Sequence, residues 1–397
     1  MPSTTIRAAC ALLLTLALLG IYACGGGGSS GGGGTTTGTT TGTTTGATTG
    51  TTTGTTTGGT PSPNARLQGT YFAVGGTIGN TRAALGGTIT FNGDGTIAGG
   101  TQVRFVTAAG QLTSTVPGGT YTVQASGDLT ATVNTSLGTV TVNNGRVSND
   151  AGPVGLSGAG VITDATGSTG QAALVRLPTT QVGNSNVVGS YHFNGCSVST
   201  INGGTTNGVV TFDGAGGVVA GNLTDSVLGA LVVTGGTYVV NPGGAFGATL
   251  NLQGGGTLTL NGALGAEGTL IFVSENGAGQ FGYGAAAPPA VAPGNGDLNG
   301  SLATFVFSAV GPAQGFASGI LSFNGAGTLT GTLTTNTGAS APVNGTYQVN
   351  VDGTVTAVIS VGGTNVNVTG ALHPSKFWAS GVGNEAGGSR SMLFIVR

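Results

Sequence analysis

The sequence predicts an all-β protein in which three tandem antiparallel domains, each a meander of about eight strands, follow a leader and a low-complexity segment. Apolar and polar residues alternate over short runs such as 139–142 and 354–361, the pattern of a strand with one buried face. Turn-forming Gly, Asn and Asp residues separate these runs, and the abundance of threonine, valine and glycine (83 glycines) argues against helices. Each domain is expected to be a small barrel or a sandwich. We favour a closed barrel because the strands carry almost no charges or prolines that would protect an open edge.

Three short motifs recur in the same order and define the copies. They occupy residues 67–71, 187–191 and 298–302, then 90–95, 211–216 and 322–327, then 119–121, 236–238 and 345–347. Because the three motifs recur in the same order and at similar spacings, we infer a threefold internal repeat. The second motif places Asn-Gly or Asp-Gly after a phenylalanine, which suits a tight hairpin with the ring facing the core.

These patterns divide the chain into six segments. They are a leader (1–23), a tether (24–64), a first β-domain (65–182), a second (183–284), a Pro/Ala linker (285–296) and a third β-domain (297–397). The prolines of the linker make it stiff enough to space the last two domains apart.

The leader has the three parts of an export signal. Arg7 forms a short basic region, residues 8–20 are apolar, and small residues precede Cys24. The apolar run is shorter than the roughly 20 residues that a membrane-spanning helix needs. We therefore predict a signal peptide and not a transmembrane anchor.

The segment Ile21-Tyr22-Ala23-Cys24 resembles the cleavage site of bacterial lipoprotein precursors. Ile21 stands at the aliphatic position, Ala23 precedes the cysteine, and Tyr22 departs from the small residue that is usual there. The resemblance implies that Cys24 is lipidated and anchors the protein to a membrane, while an ordinary signal peptide cleaved nearby is the alternative. Gly25 follows where a retention-signal Asp sometimes sits, so in a Gram-negative cell the resemblance implies the outer membrane, with the domains in the periplasm or at the cell surface.

Residues 25–60 consist almost entirely of glycine and threonine, including a repeated Thr-Thr-Thr-Gly tetrad. Such a segment cannot form a hydrophobic core, and we predict a disordered spacer. The Gly-Thr-Tyr and Phe-Asn-Gly-x-Gly repeats of the following domains resemble modules of secreted bacterial proteins of unassigned function, which implies no activity.

The charge pattern gives no support to nucleic-acid binding. The chain has a formal net charge of −2, only 5% charged residues and no cluster of cations. Of the three cysteines, only Cys196 lies in the β-domains, so it has no partner there for a disulfide, and we interpret it as a small buried residue.

Catalytic groups are few, and no cofactor or metal site is predicted. The two histidines, His192 and His373, lie in different copies, so a triad in every domain is excluded. Glu267 and Glu275 could approach across a hairpin as a glycosidase pair, although turn residues are the simpler interpretation. Tyr283 and Trp378 are the candidate ligand contacts, since exposed aromatic rings on a β-surface could stack on a sugar.

Together these observations favour a non-enzymatic, lipid-anchored cell-envelope protein. Its repeats would serve surface binding, adhesion or structural coating, with glycans or surface proteins as partners. The alternative is a ligand-carrying barrel or a polysaccharide-acting enzyme, since a barrel of about eight strands can hold one small ligand. Large side chains filling each barrel would favour the first hypothesis, whereas a cavity lined by several polar groups in one copy only would favour the second.

Overall fold

The computed structural model describes residues 62–107, 110–148, 155, 157–198, 204–276, 280–310, 315–385 and 390–397. The leader, Cys24 and nearly all of the tether lie outside these residues. The described residues belong to one compact unit of three antiparallel β-barrels in tandem. The predicted fold class is confirmed, and closed barrels replace the alternative of sandwiches.

The first barrel contains nine strands in sequence. They are β1 (Gln68–Ile78), β2 (Ala83–Asn92), β3 (Thr96–Thr107), β4 (Gly110–Val116), β5 (Gly118–Val123), β6 (Asp128–Thr135), β7 (Gly138–Val147), β8 (Ser157–Thr163) and β9 (Thr169–Arg176). β1 pairs with both β2 and β9, which closes the barrel. β4 and β5 both pair with β3 and are separated only by Pro117. Because proline has no N–H to donate to a sheet, Pro117 divides what is otherwise one strand into β4 and β5. Counted as one strand, these two make the first barrel eight-stranded like the others.

The second and third barrels each have eight strands. The second consists of β10 (Val188–Ser197), β11 (Thr205–Asp213), β12 (Gly217–Asp225), β13 (Gly229–Val240), β14 (Ala245–Leu252), β15 (Thr257–Leu264), β16 (Leu270–Asn276) and β17 (Phe281–Ala287). The third consists of β18 (Asn299–Val310), β19 (Gly315–Asn324), β20 (Thr328–Thr335), β21 (Ser340–Val349), β22 (Thr354–Val361), β23 (Thr364–Leu372), β24 (Trp378–Glu385) and β25 (Arg390–Val396). The first and last strands pair in both barrels.

One end of every barrel is closed by the residues of the three repeated motifs. In the second barrel, Phe212 packs edge-on between Tyr191 and Tyr238, with ring centroids 5.3 and 5.0 Å apart. The Tyr238 hydroxyl donates to the carbonyls of Val187, at 2.7 Å, and of Asn184, at 3.0 Å. The Asn184 side chain in turn accepts from the Val240 N–H at 2.8 Å.

The same closure is present in the other two barrels. It is built by Asn64, Leu67, Tyr121 and Val123 in the first and by Asn295, Leu298, Tyr347 and Val349 in the third. In each barrel, a short 3-10 turn before the first strand holds the asparagine: Pro63–Arg66, Asn184–Asn186 and Asn295–Asp297. The sequence motifs therefore mark a structural plug that is repeated three times.

The three barrels pack against one another around a shared apolar core. β18 shows how one strand serves two cores. Leu302 and Val306 point into the third barrel, while Phe305 and Phe307 belong to the shared core. Side chains alternate across a strand, so β18 is buried on both faces. Strands of each barrel contact strands of both others, for example β1 with β17, β10 with β24, and β9 with β18.

The predicted linker needs a correction. Ala285–Ala287 complete β17, and all three are buried, so the connection begins after residue 287. These apolar residues gain more from burial in the shared core and the barrel interior than from exposure in a linker. The connection also does not space the last two barrels apart, because the rings of Tyr283 and Phe307 meet across their interface at 5.9 Å. Within the described residues, no helix is long and apolar enough to cross a membrane.

Candidate functional site

The interior of the third barrel contains a cavity of about 360 Å³. It lies at the end opposite the aromatic plug, where β18, β20, β22 and β24 finish. Aliphatic side chains form most of its wall: Val306, Leu321, Leu333, Ile359, Val361, Val366, Val368 and Leu393. The cavity extends to Asn336 and Thr337, both exposed, so it opens to solvent. Its volume is within the range of about 300–1,000 Å³ that small-molecule sites occupy.

The interiors of the other two barrels hold smaller spaces, of about 70 Å³ in the first barrel and about 80 Å³ in the second. The first barrel has a further space of about 220 Å³ at its mouth, beside Thr135 and Val140. In the second barrel, Phe193 on β10 stacks on Phe272 on β16, with ring centroids 4.7 Å apart. This aromatic pair occupies the middle of the barrel.

Strand register identifies what replaces that pair in the third barrel. Phe193 faces Gly208 on the next strand, and Thr304 faces Gly319 in the same way. Phe272 lies opposite Gly262, and its equivalent Gly381 lies opposite Gly370. Two phenylalanines of the second barrel are thus a threonine and a glycine in the third.

A second pair of replacements is found by comparison with the first barrel. Leu85, opposite Gly75, corresponds to Ala317, opposite Val306. Ile162, opposite Gly170, corresponds to Gly383, opposite Ser391. Each of the four changes removes side-chain volume, the first two relative to the second barrel and the last two relative to the first. Part of that volume is regained, because Val306 and Ser391 are larger than the equivalent Gly75 and Gly170.

Thr304 is the polar group deepest in this cavity. Its exposed fraction is 1%, and its side chain points inward on β18 between Leu302 and Val306. Within the part of the chain that the structure describes, its hydroxyl has no hydrogen-bond partner. A buried hydroxyl without a partner costs about 1–3 kcal/mol, so its presence on an otherwise aliphatic wall is unusual.

The remaining polar side chains lie toward the mouth. They are Ser308, Thr335, Asn336, Thr337, Glu385 and Ser391. Glu385, at the end of β24, is the one charged residue among the cavity-lining residues that the structure describes. The site thus combines an apolar wall, one deep hydroxyl and an acidic, hydrogen-bonding rim.

The two aromatic candidates from the sequence lie elsewhere, and the expectation that they are exposed is wrong. Trp378 is 1% exposed and Tyr283 is 0% exposed, and both belong to the shared core. The Trp378 indole N–H donates to Glu267 Oε1 at 2.5 Å. Tyr283 packs so tightly against the first barrel that a Cβ on Gly76 would come within 2.5 Å of its ring. Burial raises the pKa of the Tyr283 hydroxyl well above its ordinary value. The two rings are therefore not available on the surface to stack on a sugar.

His373 lies in a fully buried polar network between the second and third barrels. Its Nδ1 is 3.0 Å from Thr269 Oγ1, and its Nε2 is 2.9 Å from Ser380 Oγ. Ser380 also accepts from the Asn194 amide at 3.3 Å, and the His373 ring stacks on Trp378 with centroids 3.6 Å apart. Burial, with a smaller contribution from His192, lowers the pKa of His373 to about 3. The Ser380–His373 pair has the spacing of a catalytic dyad, but His373 is 0% exposed and out of reach of a substrate.

The other sequence candidates also occupy structural positions. His192 is 8% exposed, and its Nε2 lies 2.9 Å from the Asp352 carbonyl oxygen of the third barrel. Cys196 is buried in the shared core, as expected. Glu267 lies in the turn before β16 and Glu275 near the end of that strand. At least five strand steps, roughly 16 Å, separate them, which is more than the roughly 5–9.5 Å of a glycosidase pair.

No group of three or more His, Cys, Asp or Glu side chains in the described ranges is arranged to hold a metal ion. The lipidation candidate, Cys24, lies outside those ranges. Sequence inspection missed the cavity residues. They carried no signal in the sequence, because none of the lining residues belongs to the three repeated motifs.

No family model matches the chain, and no curated protein sequence matches it. Among solved structures, it is similar to a double mutant of transferrin binding protein B from Haemophilus parasuis, at 12% identity over 83% of this chain and 76% of that chain, with a TM-score of 0.29. The isotype 1 transferrin binding protein B of Neisseria meningitidis aligns at 11% identity over 84% and 77%, with a TM-score of 0.27. A Myxococcus xanthus hemagglutinin in complex with mannopentaose aligns at 17% identity over 52% and 99%, with a TM-score of 0.14. At these scores the similarities transfer neither a partner nor an activity to this chain.

Proposed function

We propose that this protein is a non-enzymatic binding protein whose third barrel holds a small, mainly apolar molecule. The observation that carries the proposal is the continuous cavity of about 360 Å³ that runs from the interior of the third barrel to its mouth. The three barrels share their plug and strand order, so the cavity follows from specific side-chain replacements and not from the fold itself. A cavity of this kind is expected in a ligand carrier, whereas filled barrels are expected in a coating or adhesion protein.

Three features support binding without catalysis. The cavity wall is aliphatic and carries a single carboxylate, at the mouth. Glu267 and Glu275 are too far apart to act together on one glycosidic bond. The Ser380–His373 pair is sealed inside the molecule. The burial of Trp378 and Tyr283 also removes the original reason for proposing a glycan partner.

We further propose that the protein is attached to the cell envelope through a lipid on Cys24. The support is the sequence alone: the leader, the residues before the cysteine and the Gly/Thr tether after it. Two or three acyl chains give a durable anchor, whereas one chain binds only marginally. In a Gram-negative cell this attachment would be to the outer membrane.

The binding proposal can be tested with a neutral apolar fluorophore, N-phenylnaphthylamine, titrated into the purified protein. We expect saturable binding with one site per chain. Thr304→Phe should abolish binding by placing a ring where the second barrel has Phe193. Thr332→Phe makes the same chemical change on the outer face of the third barrel, where Thr332 is exposed, and should leave binding intact. Equal binding to all three proteins would refute the cavity as the site.

The anchor can be tested separately by the mass of the amino-terminal peptide of protein isolated from its native membrane. Acylation predicts a mass increase of two or three acyl chains on a peptide that begins at Cys24, and Cys24→Ser should move the protein to the soluble fraction. An unmodified amino terminus at or beyond Cys24 would refute lipidation and leave the binding proposal unaffected.

A further inference from the structure

We propose, on the basis of the binding function above, that the ligand of the third barrel is an uncharged amphiphile. Its apolar body fills the barrel and one hydroxyl or carbonyl group meets Thr304. Glu385 at the mouth selects against anionic molecules. The proposal names a ligand class and assigns a distinct role to each of two residues.

The first argument is the environment of Thr304. Thr304 is 1% exposed and lines the cavity, and its buried hydroxyl has no partner among the described residues. The neighbouring inward residues, Leu302 and Val306, are aliphatic, so they offer the hydroxyl no side-chain hydrogen-bond partner. A ligand hydroxyl or carbonyl would give Thr304 the hydrogen bond that the protein does not supply. A net contribution of about 0.5–1.5 kcal/mol corresponds to roughly threefold to tenfold in affinity.

The second argument is the charge at the mouth. Glu385 occupies an inward position on β24, in line with Ala379 in the interior, and lines the cavity where it meets solvent. An anionic head group at the mouth would lie close to this carboxylate and be repelled. The repulsion is partly screened by water at the rim, so we expect about tenfold discrimination and not complete exclusion.

The third argument is the shape of the site. Aliphatic residues line the wall from Leu321 and Leu333 in the interior out to Val361 near the mouth. Apart from Thr304, the one buried polar side chain among the described lining residues is Ser391, which is 3% exposed and lies toward the mouth. This wall matches a compact apolar body better than a sugar, whose hydroxyls would lose their hydrogen bonds to water on entry.

The test uses three bicyclic probes of similar size: naphthalene, naphthol and naphthoate, titrated by their own fluorescence at neutral pH. The wild-type protein should bind naphthol about threefold to tenfold more tightly than naphthalene and about tenfold more tightly than naphthoate. Thr304→Val should reduce the affinity for naphthol to that for naphthalene, and Thr304→Ser, which keeps the hydroxyl, should retain the preference. Glu385→Gln should raise the affinity for naphthoate about tenfold and leave that for naphthol unchanged.

The outcomes separate this inference from the proposed function. If the probes bind the wild-type protein and Thr304→Phe blocks them, but Thr304→Val and Glu385→Gln leave both preferences unchanged, the ligand class is wrong and the binding function stands. If none of the three probes binds the wild-type protein, or if Thr304→Phe binds them as well as the wild type does, the binding function itself is refuted.

Discussion

Replacing Thr304 with phenylalanine should stabilise the protein, although a large residue inserted into a barrel interior normally destabilises it. The substitution restores the residue that the second barrel has at this position, in a barrel whose cavity measures about 360 Å³ instead of about 80 Å³. Removing the buried hydroxyl relieves about 1 kcal/mol or more. Burying the ring contributes about 1.5–3 kcal/mol, and ordering it costs about 0.5–1 kcal/mol. We expect a net increase of roughly 2 kcal/mol in the free energy of unfolding.

The matched control is the equivalent position of the first barrel. Ala73 faces Gly87 as Thr304 faces Gly319, but the space beside it is only about 70 Å³. Ala73→Phe therefore overpacks the interior and should lower stability by about 1–3 kcal/mol. Urea denaturation of the two variants beside the wild-type protein measures both effects. If Thr304→Phe lowers stability as much as Ala73→Phe does, the third barrel has no usable space, and the reasoning from strand register fails.

Three further predictions concern the plug, the buried network and the packing between barrels. Asn184→Ala leaves the buried Val240 N–H without its acceptor and should lower the free energy of unfolding, measured by urea denaturation, by about 1–2 kcal/mol. Ser185→Ala, on the exposed side of the same turn, should leave it unchanged. Burial lowers the pKa of His373 from 6.5 to about 3 in the folded protein, so the unfolded chain takes up a proton that the folded protein does not. The free energy of unfolding should therefore fall as the pH drops below about 6.5, by up to about 1.4 kcal/mol per pH unit. His373→Gln should flatten that slope between pH 6 and pH 4. An unchanged slope would mean that His373 is not the group responsible. Gly76→Ala places a methyl group against the Tyr283 ring and should destabilise by about 1–3 kcal/mol, whereas Gly243→Ala, with open space around it, should not.

The sequence predicted the fold from local signals that need little knowledge of tertiary structure. Alternation defined the strands, and the repeated motifs defined the copies. Tyr238 and its equivalents are visible as motifs because the plug requires the same residue at the same place in every barrel. Pro117 breaks one strand without breaking the repeat, because the motif of residues 119–121 resumes directly after it.

The cavity could not be predicted in the same way, because it depends on side chains that are smaller than their equivalents in another barrel. Thr304 and Gly381 are ordinary strand residues in this sequence, and only the register that aligns them with Phe193 and Phe272 shows that volume has been removed. Trp378 and Tyr283 were misjudged for the opposite reason. A strand of a closed barrel has an inner and an outer face, and alternation alone does not reveal that a second barrel covers the outer one.

The shared core has a consequence for how the third barrel can tolerate a cavity. A hollow barrel lacks the interior packing that stabilises its neighbours, and it must be supported from outside. Phe305 and Phe307, on the outer face of β18, provide such support by packing with the other two barrels. The first and second barrels, whose interiors hold smaller spaces, thus support the third from outside. Under the binding function proposed above, both barrels would contribute to ligand binding without touching the ligand.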